Sequence, residues 1–199
     1  MNKFFLCFAF VLLIITNGTA QEEKITFGIK TGVNVATLTG DFSDELGYRT
    51  GFHIGGLVEI PLLEKFALQP EIIYSTQGAS NDFEDGDLSE EITIRLDYLN
   101  IPVMAKYYII EGLSVQAGPQ LGILLSAEQE IESSFENSEE DLKDFISSID
   151  LGFNFGVGYQ LHFGLFFEAR YNQGITNIND DFDEGNQNSL FQFSVGYKF

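Results

Sequence analysis

The chain has 199 residues and a formal net charge of −20, with 30 acidic side chains against 10 basic ones. This charge argues against nucleic acid as a partner, because binding a phosphate backbone requires a basic surface. The length predicts one domain, and a single cysteine, Cys7, leaves no pair for a disulfide bond.

The first 20 residues have the organisation of a secretory signal peptide. Lys3 supplies the positive charge, residues 4–15 form an apolar run, and small residues at 18–20 form a cleavage site. The apolar run is shorter than the ~20 residues that a transmembrane helix needs, and no later run is longer. We therefore expect export through the secretory pathway, removal of residues 1–20, and a domain that spans residues 21–199.

The negative charge is concentrated in four segments, which together carry the whole net charge of −20. They are Thr39–Gly47, Ala79–Glu91, Glu128–Ser148 and Asn177–Ser189. Their Asp and Gly content is typical of solvated connections. The sequence thus predicts four acidic loops, with one or two helical turns at Asp141–Asp150 of the third.

Between these segments apolar and polar residues alternate with a period of two, which is typical of β-strands with one apolar face. The clearest example is Ser189–Phe199, where every second residue is Phe, Val or Tyr. Eight such strands are predicted, and they begin near Ile25, Gly51, Phe66, Ile92, Leu113, Asp150, Gly164 and Ser189. In the fourth strand the apolar positions change parity after Tyr98, which predicts a β-bulge near Tyr98–Leu99.

The acidic loops alternate with short turns, predicted at Pro61–Lys65, Ile110–Gly112 and Leu161–Phe163. An even number of strands joined in this way predicts an all-β fold, an eight-stranded antiparallel up-and-down transmembrane β-barrel. Long loops of such barrels face outward and short turns face the periplasm. We therefore expect an outward position for three segments, Asp82–Asp87, Glu128–Asp144 and Asp180–Glu184.

The strands contain eleven charged residues, and all of them are predicted on the polar face. They are Lys30, Arg49, Glu59, Glu71, Arg95, Asp97, Lys106, Asp150, Glu168, Arg170 and Lys198. A polar face that is rich in charge and glycine suits a narrow barrel interior, with the apolar face turned to lipid. A soluble lipocalin-like barrel with an apolar interior is the alternative. The signal peptide and the terminal Phe199, typical of outer-membrane barrels, favour the membrane form.

Position along the strands divides these charges into layers of mixed sign. Lys30, Glu71, Glu168 and Arg170 are predicted near mid-height, as a polar network that fills the lumen. Arg49, Arg95, Asp97 and Asp150 are predicted near the outer mouth, and Glu59, Lys106 and Lys198 near the periplasmic end. Eight strands leave an interior that side chains just fill, whereas open channels need ~16–18 strands.

Four blocks of sequence resemble the PorT-like outer-membrane β-barrel family, often labelled porin-family proteins. The blocks are Tyr98–Tyr108 (YLNIPVMAKYY), Ser114–Ala127, Asp150–Leu161 and Glu168–Ile178. The resemblance implies a location in the outer membrane of a Gram-negative bacterium. It implies no catalytic residues, and one branch of the family is implicated in protein secretion.

Candidate chemistry is sparse. A lipid-modifying enzyme would need a nucleophile beside a base, yet His53 is predicted inside the barrel and His162 in a turn. His53 could meet Ser75, although a buried hydrogen-bonded histidine is favoured. The acidic loops do not match a calcium-loop motif, and weak binding of divalent cations is the most they suggest. No cofactor is predicted.

These observations favour a structural or interaction protein, in contact with outer-membrane lipid and with an unidentified protein partner. A membrane-embedded lipid-modifying enzyme and an accessory component of a secretion system are the alternatives.

Overall fold

A computed structural model describes residues 24–40, 46–85, 88–133, 137–143, 145–178 and 185–199. The predicted signal peptide, the segment Asp180–Glu184 and the tip of Asp82–Asp87 lie outside these residues. The described chain forms nine β-strands. They are β1 (Thr26–Gly40), β2 (Gly47–Leu63), β3 (Phe66–Asp85), β4 (Leu88–Ile110), β5 (Leu113–Ser133), β6 (Asn137–Asp141), β7 (Ile149–Gln160), β8 (Leu165–Gly174) and β9 (Asn186–Lys198). In this part of the chain no helix is long and apolar enough to cross a membrane.

Eight of the nine strands close into a ring in which every neighbouring pair is antiparallel. The ring runs β1-β2-β3-β4-β5-β7-β8-β9, and β9 pairs with β1 to complete it. Closure leaves no strand edge unpaired at the level of the ring. The predicted up-and-down barrel is therefore confirmed.

The strand outside the ring, β6, differs from the prediction for the third acidic segment, Glu128–Ser148. Residues Asn137–Asp141 pair with Glu128–Glu132 of β5 as an antiparallel strand. In Asp141–Asp150 the described residues form a turn, in which the Phe145 N–H donates to the Leu142 carbonyl at 2.9 Å, and they form no helix longer than this turn. The outer part of β5 extends above the ring, so its backbone N–H and C=O groups need a partner there. An extended segment satisfies them, whereas a helical turn bonds only to itself.

The second acidic segment also differs from its prediction as a loop. β3 continues to Asp85 and β4 begins at Leu88, so most of Ala79–Glu91 is paired backbone. β3, β4 and β5 are 20, 23 and 21 residues long. They form an outer extension that rises above the ring on one side of the barrel, together with β6.

The opposite end of the barrel has the short turns that the sequence predicts. They are Glu64–Lys65, Glu111–Gly112 and Leu161–Gly164. The first two are tighter than expected because β2 reaches Leu63 and β4 reaches Ile110. Gly112 and Gly164 have φ angles of 81° and 99°, a left-handed region in which a side chain would be strained.

The two faces of the barrel wall have opposite character. The outer face carries an apolar belt, which includes the exposed side chains of Phe27, Ile29, Phe52, Ile54, Ile72, Val103, Phe155, Val157, Phe167, Phe191 and Phe193. The inner face carries buried polar and charged side chains. This is the reverse of a soluble barrel, and it is the arrangement that a hydrocarbon surrounding requires.

Above the belt, the apolar side chains move from the outer face to the inner face. Leu96 and Tyr98 point inward and are fully buried, in the same alternation as Asn100 and Met104. β4 therefore has no change of parity at Tyr98–Leu99. The register shift lies between Asp97 and Tyr98, and the extra residue is Leu125 on β5.

An apolar cap fills the outer end of the interior. Its buried members are Leu38, Ala79, Leu96, Tyr98, Leu124, Ala127, Ile146 and Ile178. Ile146 and Ile178 come from connections after β6 and β8, which are joined by a 2.7 Å bond from the Ser147 N–H to the Ile178 carbonyl. Outside the membrane the outer wall contacts water, so burial inside the barrel is the favourable place for these side chains.

Candidate functional site: the barrel interior

The centre of the interior holds a group of four charged side chains from three strands. Lys30 Nζ lies 2.7 Å from Glu71 Oε2 and 3.2 Å from Glu168 Oε2. Arg170 donates to both oxygens of Glu71, at 3.0 and 2.8 Å. All four residues are at most 5% exposed. The sequence placed them in one layer from strand parity, and the structure brings them into contact.

Neighbouring glycines make room for these long side chains. The residues that face Lys30 across its two strand pairs are Gly55 and Gly196. A Cβ atom at Gly158 would lie 3.3 Å from Glu168 Cγ, which is tighter than almost all real contacts of this kind. The small residues of the polar face are thus the complement of the long charged ones.

A second group at the end with the short turns joins the first. Lys198 Nζ lies 2.5 Å from Glu59 Oε2, and Lys106 Nζ lies 3.4 Å from the same oxygen. Lys106 is also 3.7 Å from Glu168 Oε1, which links the two groups. We call these seven residues the interior ion network. It comprises Lys30, Glu59, Glu71, Lys106, Glu168, Arg170 and Lys198.

Neutral polar side chains form the next layer toward the outer mouth. His53 contacts Asn34 Oδ1 through Nδ1 and Ser194 Oγ through Nε2, both at 2.8 Å. Asn34 also donates to Ser75 Oγ and to the Thr76 carbonyl, at 3.0 and 2.8 Å. Ser75 therefore bonds to the partner of His53. Among the described residues no carboxylate hydrogen-bonds the His53 ring.

Asp150 lies at the outer end of the interior, beneath the apolar cap. It is 5% exposed and accepts hydrogen bonds from Asn188 Nδ2 and Thr176 Oγ1, both at 2.9 Å. Its bonds are to neutral groups, which separates it from the interior ion network. His162, the second histidine, packs against Phe163 in the β7–β8 turn.

Two charges predicted on the inner face near the outer mouth, Arg95 and Asp97, lie on the outer face instead. Arg95 points outward and forms an ion pair with Glu130, and Asp97 accepts a 2.6 Å bond from the Tyr74 hydroxyl on the same outer face. Arg49 is half-buried and donates to the Gln77 carbonyl. Arg95 and Asp97 face outward because β4 alternates continuously and keeps Leu96 and Tyr98 inside.

Neutral side chains that were not among the predicted site residues also bond to the interior charges. Gln69 donates to Glu71 at 2.7 Å, and Gln116 accepts from Arg170 at 3.5 Å. Both have the inward parity of their strands, which is the signal that identifies them. No group of three or more His, Cys, Asp or Glu side chains is placed to hold a metal ion within the described ranges.

The sequence matches the family described as "Outer membrane protein beta-barrel domain" over residues 19–180. The chain belongs to this family. Membership of the outer membrane β-barrel family agrees with the closed ring and the apolar belt, and it places the protein in the outer membrane of a Gram-negative bacterium. No curated protein matches the sequence.

Two solved structures illustrate the similarity of fold. The attachment invasion locus protein Ail of Yersinia pestis is 14% identical, with a TM-score of 0.52 and coverage of 88% of this chain and 99% of Ail. Neisserial surface protein A is also 14% identical, with a TM-score of 0.50 and coverage of 87% and 97%. At this identity the likeness concerns the fold alone.

Proposed function

We propose that the protein is an outer-membrane barrel with a plugged lumen, which acts as a structural or interaction protein and has no enzymatic activity. The interior ion network is the observation that carries this proposal. It crosses the bore from β1 to β3 and β8, with ion-pair distances of 2.7 to 3.4 Å around Lys30 and Arg170. Charged side chains in such contact leave no continuous water column.

The layers above the network support the same conclusion. At the next level the His53–Asn34–Ser194 group lines the wall of β2, β1 and β9, and Asn154 bonds to Gln120 and Asn172 across β5, β7 and β8. The apolar cap lies over Asp150. An ion that crossed the barrel would have to break buried ion pairs and then pass an apolar layer. Both steps are costly, because a charge without partners in such surroundings is strongly destabilised.

The outer extension supports the interaction role. Ser138, Glu139, Glu140 and Asp141 are exposed on β6, and Glu128 and Glu130 lie beside them on β5. We propose that the extension and the acidic loops face outward, while the belt contacts outer-membrane lipid. A protein partner and weakly held divalent cations are the ligands that this chemistry suits.

The absence of enzymatic activity is proposed from the surroundings of His53. Its two ring nitrogens bond to an amide and a hydroxyl, without a carboxylate to orient the ring toward a nucleophile. The four sequence blocks support a place in the PorT-like branch, and with it an accessory role in secretion as the alternative function.

Conductance in a planar lipid bilayer tests the plugged lumen. We expect the purified barrel to give no steady porin-sized current, because side chains fill an eight-stranded interior. A 16-stranded porin in the same bilayer is the positive control for insertion and detection. A steady open-pore current from the wild-type barrel would show that the proposal is wrong.

A further inference from the structure

The outer extension ends in an open sheet edge. Its strand order is β3-β4-β5-β6, and β6 pairs with β5 along one side only. Nothing else in the described chain pairs with the other side of β6. An exposed edge of this kind offers backbone N–H and C=O groups to an added strand.

The hydrogen-bond pattern identifies the free groups. The Leu142 N–H donates to the Ala127 carbonyl at 2.9 Å, so Leu142 faces β5. Because facing alternates along a strand, Glu140 and Ser138 also bond to β5. The backbone groups of Glu139 and Asp141 therefore point to the open edge.

The charges around this edge restrict what can bind there. Glu139, Glu140 and Asp141 are exposed, and they lie opposite Glu130, Gln129 and Glu128 of β5. A second copy of the chain would bring an equally acidic edge, and like charges on adjacent strands repel each other. A strand that carries lysine or arginine would instead gain attraction from both β5 and β6.

We propose that the open edge of β6 binds an extended, basic segment of a partner protein as an added β-strand. The proposal deepens the interaction role given above and rests on it. Backbone hydrogen bonds to Glu139 and Asp141 supply the docking geometry, and the surrounding carboxylates select for basic side chains.

The test uses the full barrel in lipid nanodiscs and an eight-residue peptide of alternating Lys and Thr. The control peptide has the same sequence with two adjacent central residues N-methylated, which blocks both of its strand edges without changing its charge. In either orientation one N-methyl group faces β6, where it removes a backbone donor and its bulk keeps the two strands apart, so binding should weaken about tenfold. Equal affinities for the two peptides would show that charge attraction alone accounts for the binding, and this would overturn the proposal.

Two variants separate the backbone contribution from the charge. Glu139→Gln removes the carboxylate and keeps the N–H group, whereas Glu139→Pro removes both and leaves the β5 side of β6 unchanged. Proline is tolerated on an edge strand where its nitrogen faces solvent. We expect Glu139→Pro to bind the Lys–Thr peptide several-fold more weakly than Glu139→Gln. Identical affinities would contradict a backbone role.

Amide hydrogen exchange gives an independent readout. In the free barrel the amides of Glu139 and Asp141 should exchange faster than that of Glu140, and the peptide should slow them. Amides at 139 and 141 that are already protected would show an occupied edge and overturn the proposal. A conducting barrel that still binds the peptide would refute only the plugged lumen.

Discussion

At the scale of single residues, the buried charges of the interior depend on one another. Glu168 contacts Lys30, Arg170 and Lys106, so Glu168→Ala leaves three cations with fewer partners. Removing one member of a buried ion pair typically costs about 3–5 kcal/mol. We expect a loss of this order in the free energy of unfolding, measured by urea titration of the barrel in detergent micelles.

Glu111→Ala is the matched control for Glu168→Ala, because Glu111 is exposed in the β4–β5 turn. Water already solvates that carboxylate, and surface charges contribute little to stability. Equal losses of stability in the two variants would mean that Glu168 is not part of a stabilising network.

Strand parity identifies which charges share a face, yet it cannot show where the surroundings of that face change. Within the belt, parity alone places Lys30, Glu71 and Arg170 together. At Arg95 and Asp97 the same reasoning fails, because the apolar side chains Ile92–Tyr98 were assigned to lipid. Leu96 and Tyr98 belong to the apolar cap instead, with Ile94 packed against it, since water rather than hydrocarbon surrounds the wall at that level.

At the scale of the strand, the bulge at Leu125 sets the register of the outer part of β5. Below it, Leu124 faces inward; above it, Ala127 does, and Glu128 and Glu130 face outward. Deleting Leu125 removes the extra residue, and Ser126 then follows Leu124 in regular alternation, so residues 126–131 keep their faces. Inserting one alanine after Leu125 instead shifts residues 126–131 by one position along β4 and reverses their faces. Glu128 and Glu130 would then point into the apolar cap.

We therefore expect an alanine insertion after Leu125 to lower the unfolding temperature clearly more than the Leu125 deletion, which removes the bulge and keeps every face. Burying unpaired carboxylates against Tyr98 and Ile146 is the physical reason. Differential scanning fluorimetry of both variants makes the comparison. Similar unfolding temperatures would show that the register above Tyr98 adapts without cost.

The acidic strands could not be predicted because their signal lies in pairing rather than in composition. Asp, Glu and Gly in Ala79–Glu91 favour a loop by local preference. The pairing of β3 with β4 satisfies the backbone as far as Asp85 and Leu88, and Ile92 and Ile94 continue the alternation of β4. Pairing between strands therefore overrides local preference in the β3–β4 hairpin, and also where β6 pairs with β5.

At the scale of the whole molecule, the outer face of β4 marks the limit of the membrane. Leu99–Ile110 carries only apolar residues on that face, and a tilted strand of ~9–11 residues is enough to cross a bilayer. Asp97 and Arg95 follow immediately on the outer face. A charge on the lipid side costs about 2–4 kcal/mol at mid-membrane and almost nothing at the interface, so these residues belong at or above the headgroups.

The proposed orientation, with the acidic extension outward and the short turns in the periplasm, rests on the asymmetry of the two ends of the barrel. Single cysteines at Thr93, Val103 and Glu111 test it in a Cys7→Ala background, with a maleimide that does not cross membranes. On intact cells we expect labelling of Thr93→Cys, which lies above Arg95, and none of Val103→Cys in the belt. Glu111→Cys should react only after the outer membrane is permeabilised. Labelling of Glu111→Cys on intact cells, with Thr93→Cys unreactive, would require the inverted orientation and would move the open edge of β6 to the periplasm.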